Sequence, residues 1–138
     1  AVSARRPDAL VIGADTIAVC EGEALGKPAD RRDAARMLWK LTRVPHSVVT
    51  GVCVVAPDAR VRSFCVESAV RLRPMTRGQI ESYLDRLRPL DKAGAYALAP
   101  DDPNVERIQG SVSCVMGLPL DELARTLREL YPECDAGR

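Results

Sequence analysis

Residues 47–55 and 60–73 constrain the fold of this chain more than any other stretch. The first run, Ser-Val-Val-Thr-Gly-Val-Cys-Val-Val, is dense in β-branched side chains, which pack well on a pleated surface and lose rotamer freedom in a helix. The second alternates apolar and polar residues, the period-two signature of a strand with one buried face. Pro57-Asp58 has turn chemistry, so the two runs are expected to form an antiparallel hairpin.

Helical segments are punctuated around it. Asp30 is a candidate N-cap for a helix over residues 31–41, where Ala34, Ala35, Leu38 and Leu41 recur at helical spacing. Thr76 caps a second through Leu87, with Ile80, Tyr83, Leu84 and Leu87 on one face and Pro89 beyond its end. A third runs from Asp121 to about Tyr131, turning Leu123, Leu127 and Leu130 inward. Residues 9–19 read as a strand interrupted at Gly13, and residues 105–108 and 112–116 as a second hairpin around Gly110. Helices interleaved with hairpins predict an α/β domain, a mixed β-sheet flanked by helices, and 138 residues suit one such domain.

Composition removes several classes of function. Twenty basic and nineteen acidic residues nearly cancel, so no global field draws the chain to nucleic acid or an anionic membrane. Aromatic residues make up 4%, too few for a base-stacking platform, and no apolar run is long enough to span a bilayer. Cys20, Cys53, Cys65, Cys114 and Cys134 have no metal-binding or redox spacing and read as small hydrophobes in a reducing, cytoplasmic setting. Neither a Walker A nor a GxGxxG pattern is present.

The chemistry-bearing residues begin with Val11-Ile12-Gly13-Ala14-Asp15-Thr16, an apolar run that ends in small residues and a carboxylate near the carboxyl end of its strand. A carboxylate there suits a divalent cation or a general base; it equally suits a strand end that bonds turn amides. Lys27, in Leu25-Gly26-Lys27-Pro28, offers the charge that phosphate oxygens require, or simply solvates a loop. Asp91 and Lys92 precede the small run Ala93-Gly94-Ala95, as a second acid and cation over open backbone or as an exposed ion pair. The single histidine, His46, reads as structural; Arg5-Arg6 and Arg31-Arg32 read as solvated faces, and Trp39 and Tyr83 as packed.

Together, the segments at residues 11–16 and 25–28, Asp33-Ala34 with Met37-Leu38, His46-x-Val48-x-Thr50-Gly51-Val52, Asp91-Lys92-Ala93-Gly94-Ala95-Tyr96 and Val115-Met116-Gly117-Leu118-Pro119-Leu120 closely resemble the ordered signatures of the Maf family. Six in register over nearly the whole chain make chance agreement remote. The resemblance implies a fold like that of the inosine-triphosphate pyrophosphatases. It also implies a hydrolase that splits a nucleoside triphosphate into monophosphate and pyrophosphate, removing non-canonical or surplus nucleotides. By motif position Asp15 would be the catalytic acid, activating water or holding a divalent magnesium or manganese ion. Lys27 would contact phosphate, Asp91 and Lys92 would complete the electrostatic frame, and Thr16 would stand at a position associated with nucleotide selectivity. Homodimerisation is compatible with the resemblance, although the sequence itself supplies no seam for it.

Departures from the family pattern shape three further expectations. The family's opening strand and Ser-x-x-Arg-Arg segment would precede Ala1, so residues 1–138 are expected to be one domain, incomplete at its amino end relative to the family. A non-catalytic nucleotide binder or a cell-division regulatory remnant is the alternative this raises. Tyr96 is followed by Ala97-Leu98-Ala99 where members acting on thymidine and uridine triphosphates usually have Gly-Ile-Gln, so Ala99 lacks a base-reading amide.

Overall fold

A computed structural model of the chain describes residues 1–96 and 102–132. The hairpin is formed as expected: β3 (His46–Val55) and β4 (Val61–Leu72) pair antiparallel from His46↔Val70 to Val55↔Val61. On the other side of β3 lies β1 (Val11–Cys20), whose last residues pair with β2 (Glu23–Leu25), while β5 (Val105–Gln109) lies against β4. The sheet order is β2-β1-β3-β4-β5, and every pairing among the described strands is antiparallel. The α/β architecture read from the sequence is therefore the one the chain adopts, with the expected mixed sheet narrowed to antiparallel pairing over its described part.

One face of the sheet carries the core. Every second residue of β3, from His46 to Val54, is buried, as the two-residue side-chain period requires. Val48, Val70 and Leu72 pack with Ala18 and Cys20 of β1 against α2 (Arg31–Leu41) and α3 (Arg77–Leu87). Val52 and Val54 pack against Leu123 and Leu130 of α5 (Leu120–Leu130). Both caps act as read: Asp30 accepts the Asp33 N–H at 2.8 Å, and Thr76 forms a reciprocal capping box with Gln79. Near the amino terminus there is one further short helix, α1 (Val2–Arg5).

Several expectations are corrected. Gly13 does not interrupt β1; it pairs with Cys53, since glycine tolerates extended backbone, and Asp15 consequently lies mid-strand opposite Gly51. The second hairpin is absent. Residues 112–115 form a short helix, α4 (Val112–Val115), because the Ser111 hydroxyl caps the Cys114 N–H at 3.1 Å. Gly110, at φ +117, turns the chain off the sheet where a Cβ would meet Ser68 Oγ at 2.8 Å. Arg31 is more than a solvated face, for it bridges Glu81 at 2.6 Å and Asp85 at 2.8 Å, joining α2 to α3. Trp39 is half-exposed, with the Arg43 guanidinium 3.0 Å above its ring, whereas Tyr83 is buried.

Of the cysteines, Cys20 and Cys114 are buried and Cys53 is half-buried, but Cys65 faces outward from β4; all four are free, and Cys134 lies outside the described residues. Among the described residues no helix is long and apolar enough to cross a membrane.

Candidate active site

β2 pairs only with Ala18–Cys20, so among the described strands the first seven residues of β1 are hydrogen-bonded on the β3 side alone. A cavity of about 320 Å³ lies along this edge. Because it follows an edge rather than a face, three consecutive residues of β1 border it: Ala14, Asp15 and Thr16. Lys27, Asp91, Lys92, Tyr96, Val115, Met116 and Gly117 border it from the other segments, along with Val48 of β3. All five residues singled out in the sequence, Asp15, Thr16, Lys27, Asp91 and Lys92, thus surround one space.

Asp15 is exposed to that space, and the residue opposite it on β3, Gly51, presents no side chain. One carboxylate oxygen accepts the Thr16 N–H at 2.9 Å, and the other has no hydrogen-bond partner among the described residues. The Thr16 hydroxyl oxygen lies 2.8 Å from the hydroxyl oxygen of Thr50, which in turn donates to the Cys114 carbonyl at 2.8 Å.

The two lysines ride on loops that touch. Gly94, in the 3-10 turn Ala93–Ala95, donates its N–H to the Gly26 carbonyl at 3.0 Å, so the Lys27 loop and the Asp91-Lys92 loop are fastened together. Only glycine fits this junction: φ is +67, and a Cβ would lie 2.9 Å from Leu41 Cδ1. Asp91 and Lys92 form a 2.6 Å ion pair. The hydrogen bond from Lys92 holds the Asp91 carboxyl below the usual range, with the charges of Lys92 and Lys27 acting in the same direction against a desolvation cost. Asp91 and Lys92 are therefore an exposed ion pair and cavity-lining groups at once.

Behind the cavity wall Tyr96 meets His46, whose Nε2 lies 3.2 Å from the phenol oxygen, the rings edge to face at 5.6 Å. Burial pushes the Tyr96 phenol up, and burial pushes the His46 imidazole down to about 4. His46 is not among the residues bordering the cavity, which agrees with its reading as structural.

The donor set bears on a divalent cation. Among the described residues no cluster of three or more His, Cys, Asp or Glu side chains is arranged for a metal. The cavity offers two carboxylates, of which Asp91 is engaged by Lys92 and Asp15 has an oxygen to spare. Magnesium is commonly held by one or two carboxylates together with substrate phosphates and water, so the residues fit a shared ion rather than a protein cage.

The family pattern described as Maf-like protein matches residues 1–130. The chain belongs to the Maf family. Its similarity to curated relatives extends over most of the chain: it is 46% identical to a dTTP/UTP pyrophosphatase of Geobacter metallireducens over 133 residues, covering 94% of this chain and 69% of the relative. It is 42% identical to a protein of the same name from Bacillus velezensis, covering 94% of this chain and 68% of the relative, and 43% identical to one from Symbiobacterium thermophilum, covering 96% and 69%.

Five of the six Maf segments named from the sequence contribute to the cavity wall, the exception being the α2 segment around Asp33 and Met37. Two of those five hold none of the candidate site residues named from the sequence, although Val48, Met116 and Gly117 border the space and Thr50 meets the Thr16 hydroxyl at 2.8 Å. The available signal was Thr50 itself, a hydroxyl at a core-facing position in a run of valines. The departure at Ala97-Leu98-Ala99 lies outside the described residues.

Proposed function

We propose that this Maf-family chain hydrolyses a nucleoside triphosphate to its monophosphate and pyrophosphate, that residues 1–138 act as one Maf-like domain, and that dTTP and UTP are its substrates. The observation that carries the reading is the convergence of one unpaired carboxylate oxygen and two lysines on a single cavity, in a chain whose relatives bear that enzymatic name.

In this reading Asp15 accepts a proton from the water that attacks the phosphorus, using the oxygen not bonded to Thr16. Lys27 and Lys92 bind phosphate oxygens and stabilise the charge that accumulates on the departing pyrophosphate. Asp91 holds Lys92 in place through their ion pair. Thr16 and the apolar wall of Val115 and Met116 receive the base end of the substrate. A magnesium or manganese ion on Asp15 would add Lewis-acid polarisation of the phosphoryl group and neutralise polyphosphate charge. A cytoplasmic location fits the four free cysteines among the described residues.

The test is pyrophosphate release from a panel of nucleoside triphosphates with magnesium or manganese, comparing the wild-type chain with Asp15→Asn. Loss of about 10²- to 10⁴-fold in kcat is expected of a lost general base. Undiminished turnover in the variant rejects the role of Asp15, and failure to release pyrophosphate from any nucleotide rejects the function.

A further inference from the structure

A hydroxyl carries one proton, and at Thr50 that proton has a fixed destination. Thr50 is fully buried on β3, and its Oγ1 lies 2.8 Å from the carbonyl oxygen of Cys114, a group that can only accept. The same carbonyl, on buried Cys114, accepts the Gly117 N–H at 2.9 Å, so both its lone pairs are engaged. A carbonyl has no proton to offer, so if the Thr50 hydrogen turned elsewhere two lone-pair-bearing oxygens would face each other at 2.8 Å, a repulsive contact. The 2.8 Å contact between Thr16 and Thr50 therefore has one permitted direction: Thr16 donates and Thr50 accepts. The Thr16 proton points into the protein, and only its lone pairs remain for the cavity.

This polarises the site. Lys27 and Lys92 are donors only and suit phosphate oxygens, which are acceptors. Thr16 is an acceptor only, beside Met116 and Gly117, and a phosphate oxygen placed there finds no partner. The group that belongs against Thr16 is an N–H on the edge of a base.

We propose that Thr50 is a positioning residue that holds Thr16 as an acceptor, and that the pair thereby favours bases with an imino N–H, uracil and thymine, over cytosine, which places a ring lone pair at the same position. The inference rests on the pyrophosphatase reading of the cavity and adds to it a residue that acts through Thr16 and the physical basis of the selection.

The experiment measures binding of non-hydrolysable UTP and CTP analogues, with an α,β-methylene bridge, by calorimetry to the wild-type chain and to Thr50→Val and Thr50→Ser. The wild type favours the uridine analogue. In T50V the Thr16 hydroxyl is free to turn and donate to cytosine, so the ratio of dissociation constants contracts about tenfold, the size expected when one matched hydrogen bond is lost. T50S keeps the relay and the ratio. A purely structural Thr50 weakens both analogues in parallel and leaves the ratio intact, which overturns the proposal. Thr16→Val, at a half-buried position, tests the relay from its other end if T50V does not fold, and an unchanged ratio there is equally fatal. Absence of binding by both analogues defeats the pyrophosphatase reading as well, whereas tight binding without preference defeats only the role of Thr50.

Discussion

His46 makes the folding stability of this chain depend on pH between the ordinary value of an imidazole and its value in the folded core. It is the sole histidine, buried on β3 against Tyr96, and burial moves its imidazole from an ordinary value of 6.5 to about 4. In the unfolded chain the ring regains its ordinary value. Between the two values the unfolded state binds a proton that the folded state refuses, so acid favours unfolding. The stability this group contributes is complete above 6.5 and is lost as pH falls toward 4. Lowering the pH from about 7 to about 5 should cost about 2 kcal/mol, or roughly 6–8 °C in Tm for a chain of this size. Stopping at about pH 5 keeps out Glu23, Asp33, Asp58 and Asp91, whose lowered carboxyls begin to matter only nearer the ordinary carboxylate range. Urea titrations at several pH values on the wild type and on His46→Gln measure the slope directly. A variant that is about 2 kcal/mol less sensitive across the interval supports the argument. One that loses as much stability as the wild type refutes it.

Three further outcomes are specified by the geometry. Gly94→Ala combines a left-handed backbone with a Cβ 2.9 Å from Leu41 Cδ1, and should lower stability by about 2–4 kcal/mol in thermal or denaturant melts. Gly78→Ala, in helical α3 with nothing within 4 Å of its Cβ, should raise it by about 0.5–1 kcal/mol, and parity between the two substitutions would contradict the packing described. Lys92→Ala should return the Asp91 carboxyl toward its ordinary range, read by NMR titration, and raise KM for the nucleotide; an unmoved Asp91 would show that the ion pair does not form in solution.

Much of this architecture was legible because short-range chemistry and long-range packing agree. Asp30 and Thr76 sit where caps are needed, and the apolar residues that follow them recur at the helical period, so α2 and α3 could be bounded to within a residue. The β3–β4 hairpin was equally plain, since alternation and a turn signal point the same way. Residues 112–116 failed because Val112 and Val115 favour a strand while a single serine cap favours a helix, and the glycine bend at 110 that removes the segment from the sheet is a tertiary demand. The position of Asp15 failed for a related reason: a small-residue stretch reads as an interruption until its partner strand is known. The acidic and cationic members of the site could be named from their motifs, but the hydroxyl relay through Thr50 could not, because it joins residues 34 and 64 positions apart whose proximity only the folded chain creates.

The clasp between Gly94 and Gly26 has a mechanical corollary. Two cationic arms that hang from a common hinge pin cannot swing separately, so a phosphate captured by one drags the other with it. Nucleotide engagement at this cavity should then register as a single concerted transition, with amide exchange at Gly94 slowing in step with the chemical-shift changes of both ammonium groups.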